Sequence, residues 1–422
     1  MQISKDQKQL FSNFFSLSLL QIFSYILPLL TLPYLVKVLG PDIFGILVFS
    51  QALIAFFNIF VDYGFNLSAT REVSIYRDNK NKLIEIFSSV MMIKVVLILI
   101  AFIFLSILIF SFNRFSNDKE LYYFTFLWVI GQALFPVWYF QGIEKMKYIT
   151  MINITIKILF TLAIFIFIQD QDDYLLVPVL NGISSILSGI LSLWIIYKYF
   201  HQKFTLQNLS ILKKYFFDSS QFFLSRLSSV GFNNINTVLI GVLLTPQMIT
   251  FYYLADKIIS VVLSLINPIV QTIYPYLSKR FKFSFFIKLI SYVFITSLII
   301  TVFIFIVSDY ISLLVLGEYN ENFLNTIYIL IWLIPISTIY IFIGAPLLLA
   351  RGYKKEFNLS IIYGFILHFL ILTVLYMYYI FNKELKFEIL YLFAISLVIS
   401  KLLVLFLRSY YVYKHKLYKR NL

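Results

Sequence analysis

Cysteine is absent from all 422 residues, so neither a disulfide framework nor a thiolate nucleophile or metal ligand is available. Charge is scarce as well. Asp, Glu, Lys and Arg make up 13% of the chain, against about 25% in a soluble domain. Only three histidines occur, His201, His368 and His415, and none has a spacing that would hold a metal. No Walker A, H-E-x-x-H or G-x-S-x-G pattern is present, so no catalytic residue, metal or cofactor is expected, and the chain is not expected to be an enzyme. What fills the space is apolar: 61% of residues are hydrophobic and the mean hydropathy is +0.89. This is the composition of a polytopic membrane protein. The opening MQISKDQKQLFSNFFSLSLLQIF has no small-residue cleavage site, and is expected to be a retained first span.

A span needs about 20 apolar residues. Such runs predict twelve transmembrane helices, at 13–38, 42–67, 83–111, 119–141, 148–168, 174–199, 217–244, 248–277, 284–308, 322–350, 357–381 and 388–411. The expected fold is an all-α membrane protein. Loops on one side carry most of the Lys and Arg: Lys5 and Lys8, Arg71 and Arg77, Lys145 and Lys147, Lys213 and Lys214, Arg280 and Lys282, Lys354 and Lys355, then Arg408, Lys419 and Arg420. The alternate loops hold few, such as Lys37, Arg114 and Lys383, together with acids including Asp170, Asp172 and Asp173. The positive-inside rule then puts both termini in the cytoplasm. The net charge of +14 is thereby topogenic, and no nucleic acid is expected as a partner. The loops on the outer side are short, which disfavours a polymerase or ligase with an external active site.

An internal repeat is visible. Leu39-Gly40-Pro41-Asp42 before the second span matches Leu244-Thr245-Pro246-Gln247 before the eighth. Pro136 to Gly142 at the end of the fourth matches Pro346 to Gly352 at the end of the tenth. Both pairs predict two pseudo-symmetric six-helix lobes of like orientation, residues 1–205 and 206–422.

Ionisable residues at depth carry the functional signal. Lys94, Lys157, Arg226, Lys257 and Lys401 each lie near the middle of a predicted span. Each costs about 2.5–3.5 kcal/mol at a helix centre facing lipid. Five together would cost about 12–18 kcal/mol facing lipid, more than a fold's usual net stability of about 5–15 kcal/mol. They are therefore expected to face a hydrated cavity or acidic partners, and a cationic cavity suits an anionic substrate. Buried pairing or snorkelling is the structural alternative. The acids are fewer: Asp62, near the cytoplasmic end of span two, and Asp256 beside Lys257. Asp62-Tyr63-Gly64-Phe65-Asn66 reads either as a helix end anchored by Arg71 or as a broken helix lining a cavity. Gating or coupling is assigned to Asp62, Arg71 and Asp256. Span seven adds Ser225-Arg226-Leu227-Ser228-Ser229 and Asn233, Asn234 and Asn236; span eight adds Asn267-Pro268, Gln271 and Pro275.

The run PYLVKVLGPDIFGILVFSQALIAFFNIFVDYGFNLSATREV at 33–73 resembles the N-terminal hallmark of bacterial polysaccharide flippases of the Wzx type. FYYLADKIIS at 251–260, the SRLSS run around Arg226 and Gln141-Gly142 are similar to the same family. The resemblance implies the superfamily shared with multidrug exporters and the lipid II flippase, with two lobes around a central cavity and alternating access. It implies transport of an undecaprenyl-pyrophosphate-linked oligosaccharide across the bacterial inner membrane for O-antigen or capsule. Its implied partners are that lipid-linked substrate, membrane lipids, and a polysaccharide polymerase with a chain-length regulator. It places the cationic cavity at Arg226, Lys257 and Lys401, with Asp62 and Arg71 from the hallmark. An exporter of small organic cations stays open as the alternative; such a pocket should be acidic.

Overall fold

In hydrocarbon no water satisfies backbone N–H and C=O groups, so a spanning chain this apolar must close its hydrogen bonds within helices or a closed barrel. The computed structural model describes residues 5–279, 283–381 and 386–417, without the side chains of 5–14, 17, 18, 224, 225, 228, 229, 233, 272, 275, 276, 278 and 279. Arg280, Lys282, Lys383, Lys419 and Arg420 lie outside the described residues, as do the side chains of Lys5, Lys8, Ser225, Ser228, Ser229, Asn233 and Pro275. Among the described residues every regular element is helical.

Packing divides the chain into two units, Met1–Val238 and Leu239–Leu422. The first holds α1 (Lys5–Asp62), α2 (Phe65–Ile75), α3 (Lys80–Ser111), the single turn α4 (Asn113–Ser116), α5 (Lys119–Leu134), α6 (Val137–Gly142), α7 (Met146–Phe167), α8 (Leu176–Phe200) and most of α9 (Leu209–Leu243). The second holds α10 (Pro246–Ser264), α11 (Ile266–Lys279), α12 (Phe283–Leu316), α13 (Glu321–Leu330), α14 (Leu333–Phe342), a π-helical segment (Ile343–Leu349), α15 (Lys354–Phe381) and α16 (Lys386–Lys414).

Among the described residues ten helical stretches are long and apolar enough to cross a membrane, making this a multi-pass membrane protein. The difference from twelve has two sources. Spans one and two fall in one stretch, because the two helices of α1 meet at a one-residue kink, Gly40 (φ 77°), with no intervening loop. Glycine supplies the backbone angle that a Cβ resists, and Pro41 opens the next helix where its missing N–H would be unpaired anyway. The seventh predicted span corresponds to α9 (Leu209–Leu243), where the side chains of 224, 225, 228, 229 and 233 are not among those described, and Asn234–Leu243 is the apolar helix counted there. On α12 the large apolar side chains Ile299, Val302, Phe303 and Ile306 are all well exposed, as a lipid-facing helix requires.

Two local features of the first unit position the site. Small residues let α5 and α8 approach closely: a Cβ on Gly182 would meet Leu127, and one on Gly189 would lie 2.6 Å from the Leu134 Cβ. The second is the break between α1 and α2. Tyr63 (φ 46°) and Gly64 (φ 81°) are both left-handed there. A Cβ on Gly64 would lie 2.8 Å from the Cβ of Phe222. The Tyr63 ring stacks between Phe216 (4.3 Å) and Phe223 (5.0 Å) of α9, and the Ser68 and Ser219 hydroxyls are 2.7 Å apart. The break is thus held against α9, which carries Arg226.

Candidate functional site

Asp62 is the last residue of α1, and Asn66 lies in the first turn of α2. The left-handed break keeps them one turn apart, and the Asn66 Nδ2 donates to Asp62 Oδ1 at 2.7 Å. The same oxygen lies 3.6 Å from the Lys94 Nζ of α3, with the two side chains 13% and 3% exposed. Lys94 therefore meets an acidic partner, one of the two settings expected for a charge at depth. Arg226 differs. It is exposed, and among the described residues no carboxylate pairs with it.

These groups share a cavity of about 350 Å³. Asn58, Asp62 and Asn66 line one side, Lys94 another, Trp128 and Gln132 of α5 a third, and Arg226, Val230 and Asn234 of α9 the last. With Asp62 and Lys94 cancelling, the cavity carries one uncompensated positive charge, at Arg226. Amide side chains surround it and can donate to phosphate or sugar oxygens.

Lys157 stands apart, in a second cavity of about 220 Å³. Its Nζ donates to the Ser24 hydroxyl at 2.7 Å. The lining is rich in small polar groups, including Asn153, Asn181, Ser184 and Ser188. Trp128 and Gln132 line both cavities and form their shared wall. Arg71 is exposed on α2 and is absent from the lining of either.

In the second unit, Asp256 and Lys257 lie on α10 and Lys401 on α16. Asp256 is within electrostatic reach of both lysines. The Lys401 Nζ sits 5.8 Å from the centre of the Tyr340 ring, and the Tyr340 hydroxyl is in hydrogen-bond reach of Lys401 and Ser337. Lys257 Nζ lies 5.9 Å from the Tyr253 ring centre.

Arg408 is the residue that sequence reasoning misplaced. Counted with the cytoplasmic loop charges, it is instead 2% exposed inside α16. Its Nη1 donates to the Tyr340 carbonyl at 2.5 Å and its Nε to the Ser360 hydroxyl at 3.0 Å. The guanidinium also stands 4.5 Å from the Phe357 ring centre and 5.3 Å from that of Tyr340. Among the described residues no carboxylate pairs with it, so carbonyl, hydroxyl and ring faces replace its water. A signal was available: Arg408 follows Lys401 by two helical turns and shares its face. His368, isolated in sequence, is fully buried with Nδ1 3.0 Å from the Ser400 hydroxyl.

Residues 10–281 match the family described as "Polysaccharide biosynthesis protein". A protein of Escherichia coli (strain K12), named "Putative O-antigen transporter", is 30% identical over 412 residues, covering 94% of this chain and 96% of its own length. A protein of the same name from Shigella dysenteriae is 26% identical, covering 84% and 90%. Among solved structures, "Lipid II flippase MurJ, inward closed conformation" superposes with a TM-score of 0.67 at 16% identity, over 92% of this chain and 87% of that one. An outward-facing multidrug resistance MATE family transporter superposes with a TM-score of 0.60 at 12% identity, over 96% of each chain. The two structures share the fold. Both the matched segment and the identity across nearly the whole length lead to one statement: this chain belongs to the polysaccharide biosynthesis protein family.

Proposed function

We propose that the protein moves undecaprenyl-pyrophosphate-linked oligosaccharide repeat units from the cytoplasmic to the outer leaflet of the bacterial inner membrane. Alternating access of two six-helix lobes, residues 1–205 and 206–422, performs the exchange, with both termini cytoplasmic. The product feeds O-antigen or capsule assembly, which requires a polymerase and a chain-length regulator downstream. The names of the two curated relatives support transport of O-antigen, and the fold is one used by flippases and exporters.

The observation that carries the reading is the cavity around Arg226. A pyrophosphate-sugar headgroup cannot cross hydrocarbon unaided. A polar cavity with one uncompensated cation replaces its water, while the polyprenyl tail stays in lipid. Arg226 takes the phosphate charge, and Asn58, Asn66, Gln132 and Asn234 replace hydration around it. Lys94 adds a second cation if Asp62 releases it, which makes the pair a gate and gives Asp62 its coupling role. Lys157 in its own cavity, and Lys257 and Lys401 in the second unit, are further substrate-binding cations, with Asp256 as a second coupling acid. Arg71 acts at the cytoplasmic entrance. A cation exporter would need an uncompensated carboxylate in this cavity, and Asp62 already faces Lys94.

The test is Arg226→Ala, with Arg226→Lys beside it, in a strain deleted for the gene. Arg226→Ala should abolish surface polymer at normal membrane levels of the protein, and lipid-linked repeat units should accumulate on the cytoplasmic side. Full surface polymer from Arg226→Ala would remove Arg226 from the mechanism.

A further inference from the structure

A groove of about 670 Å³ runs between α7 and α8, well separated in sequence from the α1, α3 and α9 residues of the cavity. Its lining includes Lys145, Lys147, Tyr148, Met151, Trp194 and Tyr199. α7 begins at Met146 and α8 ends at Phe200, so Lys145, Lys147 and Lys198 all stand at one end of this helix pair. All three are exposed, and among the described residues no carboxylate pairs with any of them. The nearest acid in sequence, Glu144, is held by Arg77 at 3.2 Å.

The rest of the groove is apolar and open. Met151 is 56% exposed and Trp194 49%, far above what a packed core leaves uncovered. The Lys198 Nζ lies 4.6 Å from the centre of the Trp194 ring, so cation and aromatic meet at one level. Tyr148 is fixed there between Phe140 (5.8 Å) and Phe200 (5.5 Å). Trp and Tyr beside exposed lysines mark the headgroup level of a bilayer, and basic pockets between transmembrane helices recognise anionic headgroups.

We infer that this groove binds an anionic phospholipid of the surrounding leaflet, with its phosphate at Lys145 and Lys147, and with Lys198 beside the Trp194 ring adding to the local positive charge. One acyl chain lies along Met151 and the apolar face beyond it, and Trp194 covers the glycerol region. The charge complementarity selects a headgroup of net negative charge, because zwitterionic lipid brings its own cation to a groove already lined by two. The inference does not depend on which substrate the protein transports.

The experiment uses the purified full chain in discs containing equal phosphatidylglycerol and phosphatidylcholine, with retained lipid counted by native mass spectrometry. The expected result is enrichment of phosphatidylglycerol, lowered several-fold in the double variant Lys145→Gln/Lys147→Gln. Lys145→Arg/Lys147→Arg should keep the enrichment, and so should Lys213→Gln/Lys214→Gln, which changes exposed lysines outside the groove. Folding is not at stake, since every substituted side chain is on the surface. No enrichment by the unaltered protein would overturn the inference, as would an unchanged or equal response of the groove and control variants. Displacement of the lipid by inorganic phosphate would reassign the groove to a free anion. Displacement by farnesyl pyrophosphate would reassign it to the carrier lipid and overturn it equally.

Discussion

At the scale of single residues, Asp62 and Lys94 form a buried pair 3.6 Å apart, and each keeps the other tolerable inside the membrane. Removing one partner leaves the other charge buried and alone, at about 3–5 kcal/mol. Lys94→Met should therefore lower the thermal unfolding temperature clearly. The double variant Asp62→Asn/Lys94→Met should recover most of the loss, because the pair is removed as a unit. If the pair is also the gate, the recovered double variant should fold normally yet export poorly. Equal destabilisation by the single and double variants would show that the two residues do not act together. Half of this was legible in the sequence: charges at such depth had to be compensated or hydrated. Which of the five cations meets an acid was not legible, because Asp62 and Lys94 are on different helices. Arg408 fails for the opposite reason. It was counted with the basic residues that follow the last span, while its true surroundings come from α14 and α15.

At the scale of elements, helix breaks matter most. Gly64 is left-handed and a Cβ there would crowd Phe222. Gly64→Ala should cost about 1–3 kcal/mol through backbone strain alone, and the crowding adds to it. Export should fall with it, since the break keeps Asp62 and Asn66 one turn apart. Unchanged stability and export would show that the break adapts freely. In the second unit, Pro346 cannot donate the hydrogen bond that an α-helix expects, and the chain widens into the π-helical segment Ile343–Leu349. A Cβ on Gly344 would meet the Arg408 guanidinium. Arg408 thus occupies the space left open beside this segment. Arg408→Lys keeps the charge but cannot bond Tyr340 and Ser360 while lying against two rings. It should destabilise by about 2 kcal/mol or more, as a buried polar network left partly unsatisfied does. A thermal melt matching the unaltered protein would show that Arg408 carries no such load.

At the scale of the whole molecule, the absence of cysteine makes topology directly testable. Asp172→Cys and Lys355→Cys each add a single thiol to a chain that has none. A membrane-impermeant maleimide added to intact cells with a permeabilised outer layer should label Cys at 172 and leave Cys at 355 unlabelled. The reverse pattern would invert the orientation drawn from Lys and Arg. Labelling of both would break the alternation on which the helix count depends. That count shows how far periodicity reaches. Long apolar runs such as Lys80–Ser111 and Phe283–Leu316 were unmistakable. The break at Gly40-Pro41 was legible too, but not that it is a one-residue kink joining two helices rather than a loop.

Composition, together with apolar runs of about 20 residues, determined that this is a many-helix membrane protein without thiol chemistry, since an apolar chain in lipid must satisfy its backbone internally and runs of that length do so as helices. The sequence also marked its expensive residues, because a charge at depth is costly wherever it points. Direction and partnership were left to the tertiary structure. A break at Tyr63 and Gly64 swings Asp62 against Lys94 and leaves Arg226 uncompensated in the same cavity. Packing of α16 against α14 and α15 buries Arg408. Contacts between helices distant in sequence decide which charge is cancelled and which stays uncompensated, and no local pattern encodes them.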